Sequence, residues 1–191
     1  MLAAAALTLG LAACGTSAPQ SQSTTSTTSK SPPSAGTSTS SSTTLPGPRP
    51  CATAQLSVTP GLSSGAAGTI GQIILFENSS SSPCLLHGFP GVAGLDNSGH
   101  QVVQATRALN GAPISGSASS LPTVQLAPGD MASALVLSSD VPEGSATTCS
   151  TYAALLVTPP NAFQSVRVNA SLPGCAGLRV GPVYRGTTGQ A

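Results

Sequence analysis

Charge is what this chain lacks most. Only 6% of its 191 residues are charged, against ~25% in an ordinary soluble domain. The formal net charge is +1 and Lys and Arg form no cluster, so there is no electrostatic footprint for a phosphate backbone. Aromatic residues make up 3% and Trp is absent, which removes the platforms on which bases or sugar rings stack. Nucleic acid is not an expected partner. Low charge also marks membrane proteins, but no apolar run reaches the ~18–20 residues of a spanning helix. Long amphipathic helices are missing as well, because no segment keeps a 3.6-residue apolar period.

Polarity comes instead from Ser and Thr, set among Gly 21 and Pro 17, a composition common to exported bacterial surface proteins. The first residues, Met1 to Ala13, are apolar and end in small side chains. They are too short to span a bilayer and have the form of an export-signal core with its cleavage region. Leu11-Ala12-Ala13-Cys14 resembles the bacterial lipobox, and the resemblance implies that Cys14 becomes the lipidated first residue of the mature chain. No Lys or Arg precedes the apolar run, so a start a few basic residues upstream is expected. Two acyl chains, at about 0.8 kcal/mol per buried CH₂, make such an anchor stable. The expected protein is therefore anchored to a membrane without spanning it.

Residues Gly15 to Pro50 are nearly all Ser, Thr, Pro, Gln, Ala and Gly. Such a segment has no apolar face whose burial could offset its ordering entropy, so a disordered tether is expected over 14–50. As flexible coil its r.m.s. span is roughly 30–36 Å, and fully extended it approaches roughly 110 Å. It serves either as a passive spacer or as a substrate for O-linked sugar.

Setting Cys14 aside leaves Cys51, Cys84, Cys149 and Cys175, an even set that in an exported chain argues for disulfides. Four cysteines allow three pairings; chain order favours Cys51–Cys84 with Cys149–Cys175, each tying neighbouring strand ends. Between them, β-prone runs alternate with turns. Strands are expected over Gln55–Thr59, Thr69–Asn78, Cys84–His87, Gly91–Asp96, Gln101–Thr106, Val124–Leu126, Met131–Ser138, Ala153–Thr158, Ser165–Asn169 and Leu178–Tyr184. Ile73-Ile74-Leu75-Phe76 is apolar on consecutive residues, as in a strand buried on both faces or at a bulge. Pro60-Gly61 is expected to close the first strand, and Arg107 to Leu121 to form a Gly/Ser-rich loop. The fold class is all-β, an antiparallel immunoglobulin-like sandwich of about eight or nine short strands over 51–191. About 140 residues suffice for one core.

Candidate chemistry is thin. Gly61-Leu62-Ser63-Ser64-Gly65 matches G-x-S-x-G, but a nucleophile elbow needs a strand before it and a helix after it, and a strand follows here. A Ser63 triad would need His87 or His100 as base and Asp96 or Asp130 to orient it. His87, three residues after Cys84, could ligate a metal; His100 and Met131 do not complete a transition-metal set. Asp96, Asn97 and Asp130 could face a calcium ion, although turns use Asx residues without one. Asn78-Ser79-Ser80 and Asn169-Ala170-Ser171 match N-glycosylation triplets. In Gly88-Phe89-Pro90-Gly91 the aromatic–Pro pair allows a cis bond and the glycines allow positive φ. No catalytic, cofactor-binding or metal residue is assigned, and an enzyme is not expected.

In order along the chain, Gly68-Thr69-Ile70-Gly71, Asn78, Pro83-Cys84-Leu85, Gly88-Phe89-Pro90-Gly91-Val92, Leu126-Ala127-Pro128-Gly129 with Ala132, Pro159-Pro160, and Cys149 with Cys175 resemble an actinobacterial domain-of-unknown-function family, number 4232. The resemblance covers most of 51–184 and implies an extracytoplasmic β-rich domain with no established activity. Function is then expected to be that of a lipid-anchored envelope protein, a monomer at the extracytoplasmic face of the cell membrane. Its sandwich would act as a binding module for an envelope protein, a glycan or a small ligand. The rival expectations are a small secreted serine-type hydrolase using Ser63 and an extracytoplasmic metal-handling lipoprotein using His87.

Overall fold

The computed structural model describes residues 47–109, 112–113 and 121–190, with only the backbone described at 112–113. Cys14, the apolar segment 1–13 and the linker up to residue 46 lie outside the described residues, as does most of the loop expected between Arg107 and Leu121. The chain begins with β1 (Arg49–Pro50), a 3-10 turn at Thr53–Gln55, β2 (Leu56–Ala66), β3 (Thr69–Asn78), β4 (Cys84–His87) and β5 (Gly91–Leu95). It continues through β6 (Gln101–Gln104), β7 (Thr106–Leu109), β8 (Ala112–Pro113), β9 (Thr123–Leu126) and β10 (Met131–Ser139). The last strands are β11 (Ser150–Tyr152), β12 (Ala154–Thr158), β13 (Val166–Val168), β14 (Leu172–Gly174), β15 (Leu178–Val180) and β16 (Tyr184–Arg185).

Two sheets dominate. The larger runs β2-β3-β10-β15-β7-β8, with β16 also pairing β10, and the smaller runs β13-β12-β5-β6. Smaller ladders, β1-β4-β9 and β11-β14, complete the strands. Alternation along the central strands builds the core between them: Ile74 and Phe76 of β3 and Ala132, Ala134 and Val136 of β10 are fully buried. They share one apolar cluster with Val92, Leu155, Val157 and Val168 of the smaller sheet and with Leu86 and Leu126 of the β4–β9 pair. The result is the expected all-β, sandwich-like fold, antiparallel except where β1 meets β4 and β7 meets β15.

The strands outnumber the expected eight or nine because two anticipated runs divide and β1, β8, β11 and β14 arise outside any expected run, β8 pairing with β7 within the stretch expected to be loop. Gln101–Thr106 breaks at Ala105, whose N–H donates to Val92 O at 2.8 Å. There the chain leaves the smaller sheet and enters the larger one as β7, beside Arg179 and Val180. Leu178–Tyr184 breaks at Gly181-Pro182. Ser150–Tyr152 and Leu172–Gly174 pair with each other, strands too short for alternation to announce them.

Pro60-Gly61 does not end β2. The strand lies at the sheet's edge and its register shifts between Pro60 and Ser63, so the proline's missing N–H leaves no ladder bond unmade. The hairpin turns instead at Ala67 and Gly68, with φ of 49° and 81°, as a two-residue hairpin with both centres left-handed requires. Both expected disulfides form, Cys51–Cys84 and Cys149–Cys175. The first is buried in the core and the second is half-buried at the surface.

Candidate functional site: a cleft on the outer face of the large sheet

The face of β3 and β10 that points away from the core carries Ile73, Leu75, Leu135 and Leu137, all half-buried. Ile73 stands opposite Leu135, and Leu137 opposite Arg179 of β15. An antiparallel sheet ordinarily turns polar residues to solvent on its outer side, so this row departs from the pattern. Two segments lean over it. At the β2 bulge, a Cβ on Gly61 would lie 3.1 Å from Ile73 Cγ2, so glycine lets the edge strand's backbone approach. At the other side the C-terminal segment returns over β10: Gly189 N–H donates to Ser133 Oγ at 2.8 Å. A Cβ on Gly189 would stand 3.0 Å from Leu135 N, and its φ is +70°, which fits glycine on both counts.

Beside these residues lies a cleft of about 490 Å³, lined by Leu135, Leu137, Arg179, Pro182, Tyr184 and Gln190 among others. That volume falls in the ~300–1,000 Å³ range of small-molecule sites. Gly181 anchors one wall through its N–H to Leu135 O at 2.9 Å. A Cβ at Gly181 would meet Leu135 O at an ordinary 3.6 Å. Of the described lining residues, Arg179 alone is charged at neutral pH. It also borders a neighbouring depression of about 500 Å³, where Glu143 and Gln104 stand.

The residues singled out by sequence lie elsewhere. Ser63 is exposed in the irregular edge strand, which runs through a hairpin into β3, so G-x-S-x-G sits in no strand-to-helix elbow. No hydrogen bond among the described residues joins Ser63 to a histidine. Exposed His87 contacts Thr123 Oγ1 through Nδ1 at 2.9 Å. His100 and Asp96 do come together, at 3.7 Å within one exposed turn. The Asp96 carboxylate accepts the N–H groups of His100 and Ser98 at 2.9 and 2.8 Å, and the first of these does most to hold its pKa below the ordinary value. Asn97 is exposed in the same turn. Asp130 pairs with Arg185 Nη1 at 2.9 Å, a hydrogen bond that leads the causes lowering its pKa. Neighbouring Met131 is 37% exposed. Among the described residues no three or more His, Cys, Asp or Glu gather as a metal site.

The stretch Asn78–Val92 is a corner built by polar side chains. Asn78 is fully buried; its Nδ2 donates to Ser82 O at 2.8 Å and Leu126 O at 3.1 Å. Its Oδ1 accepts from Ser80 N–H and Ser80 Oγ at 3.1 and 2.7 Å, so this amide ties the serine turn to β9. Gly88 takes φ +86° as expected, and the Phe89–Pro90 bond is trans. The Arg107 guanidinium lies 5.8 Å from the centroid of the Phe89 ring, a cation–π arrangement.

Leu135, Leu137, Arg179 and Tyr184 were not picked out by sequence reasoning. A signal existed: Ala134-Leu135-Val136-Leu137 is apolar on consecutive residues, as is Ile73–Phe76, and in an antiparallel strand that places apolar groups on both faces. No curated protein and no solved structure matches the chain. Residues 51–184, which contain the corner, both disulfides, the sheet and most of the cleft, match the model described as Domain of unknown function (DUF4232), and the chain belongs to that family.

Proposed function

We propose that this chain is an exported, lipid-anchored binding module. Cys14 carries the anchor, the Ser/Thr-rich segment is the tether, and the outer-face cleft holds the ligand. The observation that carries the binding role is the apolar row Ile73, Leu75, Leu135 and Leu137 turned toward solvent beside an open cleft. Apolar side chains left on an outer sheet face are a feature of interaction surfaces. The two disulfides and the family membership support an extracytoplasmic setting, since such bridges persist in oxidising compartments.

The anchor is tested by fractionation: Cys14→Ala should move the protein from the membrane to the soluble fraction, and unchanged partitioning contradicts the anchor. The binding role is tested by melting. Protein purified natively should melt higher than the same protein denatured, dialysed and refolded with its disulfides intact, because a ligand bound only to the folded state raises Tm. Gly181→Leu, which fills the cleft, should abolish the difference. Equal melting of native and refolded wild-type protein contradicts the cleft as an occupied site.

A further inference from the structure

We infer that the segment after β16 is a latched lid on the cleft. Residues 186–190 swing on Gly186, are held shut by the Gly189–Ser133 hydrogen bond, and open to admit an apolar ligand onto the Leu135 floor. The inference rests on the cleft being the binding surface proposed above.

One stretch of chain supplies Gly181, Pro182, Tyr184, Gly189 and Gln190 to the cleft lining, and it is held unevenly. Its first part is clamped to the sheet. Gly181 N–H donates to Leu135 O at 2.9 Å, and β16 pairs with Ala132 and Ser133. Arg185 reaches both the Asp130 carboxylate and Gln125 O. Gly186 N–H, donating to Met131 O at 2.9 Å, ends this clamp. There the chain leaves the strand, and Gly186, with φ of 91°, turns it back across β10. Three residues later the Gly189 N–H meets Ser133 Oγ at 2.8 Å. A left-handed glycine at the point of reversal suits a hinge, because it moves between backbone regions at no steric cost.

Ser133 shows what the arm covers. By strand alternation it faces the same side of β10 as Leu135 and Leu137, yet it has no exposed surface while they remain half-buried. Gly189 is buried with it, and Thr187, Thr188 and Gln190 around it are exposed. Both groups of the latch are neutral and meet water when the arm lifts, so opening exchanges their bond for hydrogen bonds to solvent at small cost. Lifting also uncovers the floor between Leu135 and Leu75, the residue opposite Ser133 on β3. A ligand that reaches this floor gains apolar contact that the closed arm withholds. Glycine at 189 lets the lid shut: a Cβ there would press on Leu135 N at 3.0 Å, with φ at +70°.

The test uses the full chain carrying Cys14→Ala and the uncharged dye Nile red, which brightens in apolar sites. In stopped flow, Ser133→Ala should bind and release the dye roughly two- to tenfold faster than wild type, the scale of one neutral hydrogen bond. Its Kd should change little, because a lid gates both directions. Gly189→Val, which wedges the arm open, should act in the same direction. A wall that does not move would leave association unchanged and only hasten release. Amide exchange of the unsubstituted protein reads the motion without any variant: Gly189 should exchange well before Gly181, although both N–H groups are hydrogen-bonded. Gly181→Leu should abolish dye binding. Unchanged association in Ser133→Ala, with binding still lost in Gly181→Leu, overturns the lid and leaves the cleft a binding surface. Equal protection of Gly189 and Gly181 overturns the lid as well. Dye binding that is absent, or unaltered in Gly181→Leu, removes the cleft and its lid together.

Discussion

The two faces of the central pair β3–β10 are built from the same kind of residue and meet different fates. On the inner side Ile74, Phe76, Ala134 and Val136 have no exposed surface. On the outer side Ile73, Leu75, Leu135 and Leu137 are half-buried, overhung by Gly61 and Gly189. The inner set is roofed by a second sheet, whose strands contribute to the shared cluster. Among the described residues, the outer set is overhung by two thin glycine-containing segments beside a cleft. The difference teaches that apolarity on a strand says what a face avoids, while the topology decides what covers it.

The sharpest test of that contrast is truncation on each face. Phe76→Ala should destabilise the domain by about 3–5 kcal/mol, the cost of losing a large aromatic side chain from a packed interior. Leu135→Ala should cost less, about 1–2 kcal/mol, because its smaller side chain is only partly withdrawn from water and leaves no closed cavity behind. Urea midpoints of the two variants measure the gap. Equal losses would make the outer face a second core rather than a binding surface.

The disulfides carry the same contrast of depth. Each closes a loop of similar length, with separations of 33 and 26 residues, so removing either should cost about 3–4 kcal/mol by the loop-entropy argument. Access is what separates them. Cys51 and Cys84 are each 1% exposed, whereas Cys149 and Cys175 are half-buried at the surface. Under limiting reductant without denaturant, Cys149 and Cys175 should be alkylated first, with Cys51–Cys84 intact until the domain unfolds. Mass mapping reads the order, and simultaneous alkylation of all four would erase the distinction.

The smallest effect belongs to the exposed edge, at Asp130 and Arg185. Folding lowers the Asp130 pKa, so its contribution is fully present above the unfolded value of about 3.9. It fades as the pH falls through the lowered folded value. Asp130→Asn should therefore flatten the fall of Tm below about pH 4 and leave the curve near pH 7 little changed, since exposed pairs contribute little. A Tm loss at pH 7 as large as that of Phe76→Ala would contradict this ranking.

Most of the fold was legible in sequence because its determinants are local. Val166 and Val168 flanking Arg167, the turns at Asp96–Gly99 and Ala127–Asp130, and the cysteine order each point to a strand, a turn or a bridge without knowledge of distant partners. What escaped was set at long range. The sheet change at Ala105, the survival of β2 past Pro60 and the pairing of β11 with β14 depend on neighbours remote in the chain. The cleft escaped for the same reason: Leu135, Arg179 and Tyr184 come from three strands and meet only through register. Conspicuous residues were a poor guide by comparison. His87, His100 and Asp130 each have an ordinary partner close by, in Thr123, Asp96 and Arg185.

The most direct test of a ligand-holding outer face is the native mass of the full-length protein recovered gently from the cells that make it. Wild-type protein should carry a stoichiometric small molecule beyond the mass of its covalent chain, absent from Gly181→Leu recovered in parallel. A wild-type mass accounted for entirely by the covalent chain, or an adduct retained by Gly181→Leu, would contradict it.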